Sequence, residues 1–189
     1  MRGVTLANES DSGSSPIEHP LTNPWLEGPS PKVVMPRDEL EERILNLLSS
    51  QNMCVVATAG TDGPLATPVR YFNLDFTLLF TSQAGTPKLR NIEVDPRVSL
   101  GIFAPLYGQA SSRGAQVFGT ARVLVKGARD FDSLISVYRW QSDAVERGRS
   151  LDDAPTGPLV AVQASRIVYT EHWLRRRGFS PRQHWRAEP

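Results

Sequence analysis

A chain of 189 residues, 40% hydrophobic and 22% charged, is long enough to bury a core of its own and has an ordinary globular composition. Its formal net charge of +1 gives no electrostatic case for nucleic acid or a membrane surface as partner, and no apolar run reaches the roughly 18 residues that span a bilayer. The single cysteine, Cys54, excludes an intramolecular disulfide and a cysteine-rich metal site; with no apolar signal core at the N-terminus, a cytoplasmic location is the expectation.

Residues 1–35 are rich in Ser, Pro, Asn and Gly without periodicity and read as an N-terminal arm, disordered or draped over a surface. In it Trp25 and Leu26 are candidates for docking on a partner subunit. An ordered domain is expected over 36–173. It begins with a helix in "PRDELEERILNLLSS", where Asp38 and Glu41 have capping-box spacing and Leu40, Ile44, Leu47 and Leu48 share one face. Strands then follow: "NMCVVATA", the turn "GTDGP", "LATPVRYFN", and, after a tight Leu74-Asp75 connection, "FTLLFTS". Cys54 lies in the first of these and reads as a small buried hydrophobe.

"TSQAGTPKLRNIEVDPRVSLGIF", from Thr81 to Phe103, ends one strand, passes through a small-residue loop into a helix over Pro87 to Val94, stops at Asp95-Pro96 and begins another strand. Helix starts usually carry acidic residues, because the dipole is positive there. Lys88 and Arg90 at this one suggest an anion bound from outside. Beyond a polar loop, "AQVFGTARVLVK" forms a strand whose Gly119 indicates a bulge or barrel corner. A helix near Ala128 to Gln141 presents Phe131, Leu134, Ile135 and Tyr138, and "LVAVQASRIVYTEHW" is the last long strand. Residues 174–189 form a basic C-terminal tail. The fold class is mainly β with flanking helices: six antiparallel strands in a closed or nearly closed barrel.

This order of elements, the pattern Lys88-x-x-Asn91-x-x-x-Asp95-Pro96-Arg97-Val98-Ser99 and the strand "GPLATPVRYF" resemble the FMN-binding split-barrel family, which contains the pyridoxamine 5'-phosphate oxidases and related flavin and deazaflavin oxidoreductases. The resemblance runs from about Leu40 to Trp173. It implies a six-stranded split barrel, a homodimer, and FMN as cofactor, with deazaflavin the alternative. It further implies that Lys88, with Thr86, Ser82 and Thr81, holds the cofactor phosphate, and that Thr67, Pro68, Val69 and Arg70 lie along the flavin. Arg70 shares a strand face with Pro68 and Phe72 and needs a counter-ion, either that phosphate or an ion pair with Asp75 or a glutamate. Gln116, reaching across the subunit boundary, and Trp173, after the last strand, complete the implied cofactor set.

Pyridoxamine 5'-phosphate oxidases proper carry an Arg-x-His-x-Arg type segment near the C-terminus that holds the substrate phosphate. The ending "EHWLRRRGFSPRQHWRAEP" reads instead as a basic, aromatic tail departing from that arrangement, so the vitamin oxidase activity itself is not expected. No catalytic residues stand out, as suits chemistry carried by a cofactor. His19, His172 and His184 lack metal-ligand spacing. The expected function is FMN-dependent oxidation or reduction of an unidentified small molecule. The alternative is a non-enzymatic flavin, deazaflavin or heme binder, for which His172 is the one histidine adjoining the barrel.

Overall fold

The computed structural model describes residues 28–61, 63–105, 112–146, 148–151 and 157–188, the side chain of Asp143 excepted. Trp25, Leu26, most of the loop after Phe103 and the centre of the loop before Leu159 lie outside the described residues.

Helix α1 (Arg37–Ser50) buries Leu40, Ile44, Leu47 and Leu48, the four residues of its apolar stripe, at about 1.5–3 kcal/mol each. No capping box forms. Pro36 precedes the first turn, no side chain caps it, and Glu41 is drawn elsewhere: it accepts from Arg37 Nε at 2.9 Å and from the Trp185 indole at 2.6 Å. A partner 144 residues away outcompetes the local pattern.

Among the described residues eight strands follow: β1 (Met53–Gly60), β2 (Gly63–Arg70), β3 (Phe72–Leu74), β4 (Thr77–Thr81), β5 (Arg97–Phe103), β6 (Arg113–Leu124), β7 (Leu159–Glu171) and β8 (Arg182–Arg186). All pair antiparallel, in the order β2-β1-β5-β6-β7-β4-β3, with β8 added to β7. The two ends of this path, β2 and β3, are halves of one strand interrupted at Tyr71, so the chain itself closes the ring. Counted this way the barrel has the six expected strands, and β8 is an addition to it.

Tyr71 holds the interruption. Its ring is fully buried, its N–H donates to the Asn52 carbonyl and its hydroxyl to the Leu48 carbonyl at 2.7 Å. Opposite, β6 and β7 slip register between Phe118 and Gly119. A Cβ at Gly119 would overlap the Gln163 carbonyl, so glycine permits the close approach. The barrel interior is filled by Val56, Phe80, Leu100, Val117, Val162 and Ile167, and α1 seals one end.

Before β5 the chain forms α2 (Pro87–Val94), with the expected bounds. The expected single helix near Ala128 to Gln141 is two: α3 (Phe131–Val137) and α4 (Trp140–Glu146), broken where Arg139 takes φ 50°. Phe131, Ile135 and Tyr138 pack in a second core with Leu79, Leu124 and Leu159, while Leu134 is only partly buried. The C-terminal tail is structured. A 3-10 helix (His172–Arg177) leads to β8, whose Gln183 and Trp185 point inward. Buried Gln183 accepts from Met35 N–H and donates to the Val33 carbonyl, tying residues 33–35 of the N-terminal arm to the barrel. The Trp185 ring stacks on Phe76 at 4.2 Å. No helix among the described residues is long and apolar enough to cross a membrane.

Candidate functional site

Where β4 ends, Gly85 turns the chain with φ 72° into α2. Thr86, extended at φ −68° and ψ 150°, is the N-cap residue, and Pro87 occupies the first helical turn, where its missing N–H costs nothing. No side chain caps this helix and its first turn has no acidic residue. The Thr86 hydroxyl instead meets that of Ser82 at 3.0 Å. Lys88 is half-buried and makes no hydrogen bond or ion pair among the described residues. Burial without a counter-charge lowers its pKa from the usual lysine value. Arg90, exposed, donates to the Gly85 carbonyl.

The rest of the pattern fixes this helix. Asn91 donates to Thr58 Oγ1 at 3.1 Å. Any side chain at Gly60 would strike Asn91, so the glycine lets α2 lie against β1. The Asp95 carboxylate accepts the Arg97 N–H and its guanidinium, which hold its pKa down to about 2 and set the turn into β5.

Arg70 ends β2 and Thr81 ends β4, just before this loop in the chain. Phe72 pairs with Leu79, and continuing that register two residues sets Arg70 opposite Thr81. The paired helices α3 and α4 reach both. Thr81 Oγ1 donates to the Tyr138 hydroxyl at 3.1 Å, and Tyr138 packs edge-on against Phe72 at 5.1 Å. Arg70 pairs with Glu146 at 2.8 Å, a glutamate serving as counter-ion. Sequence reasoning did not single out Tyr138 or Glu146 for this site, since nothing local in α3 or α4 signals the strand they reach. Along β2, Val69 is buried opposite Cys54, Thr67 is half-buried opposite Val56, and Pro68 is exposed. Among the described residues β2 pairs only with β1, so Pro68 sits on an edge, where a missing N–H is tolerated.

Gln116 lies elsewhere. It is exposed on β6 between Gly101 and Val168 and lines a cavity of about 300 Å³ with Phe103, Thr170 and Arg182. Trp173, 40% exposed, carries the Arg176 guanidinium 5.4 Å from its ring centre. No hydrogen bond or ion pair among the described residues links Gln116 or Arg182 to the Lys88 group. β8 also corrects the reading of the tail. Arg182-Gln183-His184-Trp185-Arg186 has the Arg-x-His-x-Arg spacing after all, and the strand puts Arg182, His184 and Arg186 together on its exposed side. His184 therefore adjoins the barrel as well as His172.

The parts near α2 suit a phosphate: a helix start that no side chain caps, two hydroxyls and a lysine without a counter-ion among the described residues. No curated protein matches the chain, but solved structures share its split-barrel fold. General stress protein 26 from Bacillus anthracis str. Sterne is 19% identical, with a TM-score of 0.59 over 79% of this chain and 99% of that one. A FAD-binding protein from Mesorhizobium loti is 17% identical, with a TM-score of 0.55 over 67% and 88%. A heme binding protein from Mycobacterium smegmatis is 22% identical, with a TM-score of 0.60 over 82% of this chain but only 60% of that one. The family model described as pyridoxamine 5'-phosphate oxidase matches residues 40–170. It thus runs from the first turns of α1 to the end of β7, through β2, β4 and α2, and the chain belongs to the pyridoxamine 5'-phosphate oxidase family.

Proposed function

We propose that the chain is an FMN-dependent oxidoreductase acting on a small anionic molecule, with its cofactor site completed across a homodimer. The observation that carries this reading is the start of α2, which no side chain caps: the Ser82–Thr86 hydroxyl pair and half-buried Lys88 lie there, and Lys88 has no counter-ion among the described residues. Lys88, Thr86, Ser82 and Thr81 would hold the FMN phosphate. Arg70 would reach it by exchanging Glu146, and Thr67, Pro68 and Val69 would offer backbone groups of the open β2 edge to the ring. Bound there, FMN would supply hydride transfer, leaving the protein to orient and exclude water.

The Gln116 and Arg182 cavity shares no lining residue with the Lys88 group. Exposed Phe103 beside it, 68% accessible, and the glycines Gly101 and Gly114 make a surface for a second copy. In the dimer Gln116 and Trp173 would reach the partner's flavin. Arg182, His184 and Arg186 return a phosphorylated substrate to consideration, so pyridoxine 5'-phosphate is the first compound to assay. FMN that co-purifies near one per chain, and is reduced by a substrate and reoxidised by an acceptor, is the expected result. A chain that binds no flavin refutes the proposal.

A non-enzymatic binder is the second reading. The heme binding protein among the structural neighbours and the position of His184 on the sheet favour testing it. A Soret band on heme titration, lost in His184→Ala or His172→Ala, would support it over flavin.

A further inference from the structure

A second cavity, of about 250 Å³ and sharing Arg113 with the one at Gln116, opens between α1 and the ends of β6 and β7. Glu39, Glu42, Arg43 and Asn46 line it at the i, i+3, i+4, i+7 spacing of one helix face, and Arg113, Tyr169 and Arg177 stand opposite. Its floor is a closed network. Fully buried Tyr169 donates to Glu171 Oε2 at 2.7 Å, and Arg43 Nη1 donates to both Glu171 oxygens at 3.1 and 2.9 Å. On the rim, Arg177 pairs with Glu39 at 2.8 Å.

These pairs neutralise two of the three arginines, and the remainder decides the ligand. Arg113 is half-buried, and its one hydrogen bond among the described residues is a 3.4 Å contact to Asn46 Oδ1, longer than a well-made N–H···O bond. Glu42 makes no hydrogen bond or ion pair among the described residues. Glu42 and Asn46 are one helical turn apart, so an uncommitted carboxylate and an uncommitted guanidinium flank the same small space. A phosphate dianion would find only one uncompensated cation there, and a free cation would face Arg113. A molecule carrying both charges satisfies both groups. The volume lies below the roughly 300–1,000 Å³ of pockets for drug-sized ligands, which limits the ligand to a small one.

We propose that this cavity binds a small zwitterion of the amino-acid class, its carboxylate on Arg113 beside the Asn46 amide and its ammonium on Glu42. Arginine's planar fork suits the carboxylate, and an acceptor-only glutamate suits the ammonium. The site uses no residue assigned to flavin, so it stands whether or not flavin binds.

The test is a thermal-shift screen of the purified full chain with each standard L-amino acid at millimolar concentration, followed by calorimetric titration of those that respond. Propionate, ethylamine and inorganic phosphate serve as single-charge controls. At least one amino acid should titrate one site per chain, with propionate and ethylamine at least about tenfold weaker. Arg113→Met and Glu42→Gln should each weaken it by roughly 10- to 150-fold, the range expected for a lost charge-assisted hydrogen bond. Glu42 is exposed, so Glu42→Gln keeps the fold and carries the test even if Arg113→Met does not. No response to any amino acid, tighter binding of phosphate, or unchanged affinity in Glu42→Gln overturns the proposal. Flavin content measured on the same samples separates this result from the cofactor reading.

Discussion

Truncating Lys88 to alanine removes one cation from the proposed phosphate site and little else. The side chain makes no hydrogen bond or ion pair among the described residues, and alanine is at least as good a helix former as lysine, so the melting temperature of the flavin-free protein should barely move. The effect should fall on binding. A charge-assisted hydrogen bond contributes about 1.5–3 kcal/mol, so FMN affinity should drop roughly 10- to 150-fold. Arg90→Ala is the internal control: it removes a cation from the same helix, but one whose guanidinium is already spent on the Gly85 carbonyl. The pH dependence adds a second signature. Burial lowers the Lys88 pKa, so the ammonium is lost, and wild-type affinity declines, at a pH below the ordinary lysine value of 10.5; in Lys88→Ala that step disappears. Quenching of free FMN fluorescence on titration reads both. Equal dissociation constants for the Lys88→Ala and Arg90→Ala proteins would show that the phosphate is held elsewhere.

Removing the Glu171 side chain (Glu171→Ala) strands the Arg43 charge and the Tyr169 hydroxyl in a largely buried network, and should cost about 3–5 kcal/mol in urea-denaturation stability; a cost below about 1 kcal/mol would mean that water replaces the carboxylate freely. Gly119→Ala drives a Cβ into the Gln163 carbonyl and should cost about 1–3 kcal/mol by the same assay, with no loss if the bulge can open. Burial pushes the Cys54 thiol from 9.0 up to about 12, and also raises the Tyr71 and Tyr169 phenols. The folded state therefore keeps protons that the unfolded chain releases, so stability holds in full below about pH 9 and is lost as pH rises towards 12; a denaturation midpoint that is flat across that window would contradict the burial. Mixing Lys88→Ala with Gln116→Ala subunits should restore flavin binding to a fraction of mixed dimers, because one of their two sites is intact, whereas no recovery would deny a shared site.

Local chemistry made parts of this molecule legible in the sequence. Thr86-Pro87 and Asp95-Pro96 bracket α2 with residues that start and stop helices by their own backbone restrictions, so its bounds needed no tertiary information. A glycine within a strand announced the slip at Gly119. The failures have the opposite character. Nothing local marks Arg139 for a left-handed conformation, so the break between α3 and α4 was invisible, and with it the reach of Tyr138 and Glu146 to the β2–β4 opening. Glu41 was misread because its partner Trp185 is distant in sequence. In β8 the alternation was readable, but the density of arginines suggested a solvated tail and hid the inward Gln183 and Trp185.

One device links the closure of the barrel to the opening of its site. Tyr71 separates β2 from β3, and only β3 pairs with β4. Above the interruption, β3 and β4 pair from Phe72–Leu79 to Leu74–Thr77 and shut the ring. Below it, β2 turns away and leaves its outer edge without a strand partner, while β4 runs on to Thr81 beside β7. An unpaired edge is a liability in a soluble sheet, and here it is limited by Pro68, which has no N–H to offer, and covered towards Arg70 by Glu146 of α4. Under the proposed function, this parting is what would leave the β2 edge to a planar ligand. The Tyr71 anchors to Asn52 and Leu48 therefore fix the point at which β2 and β3 part.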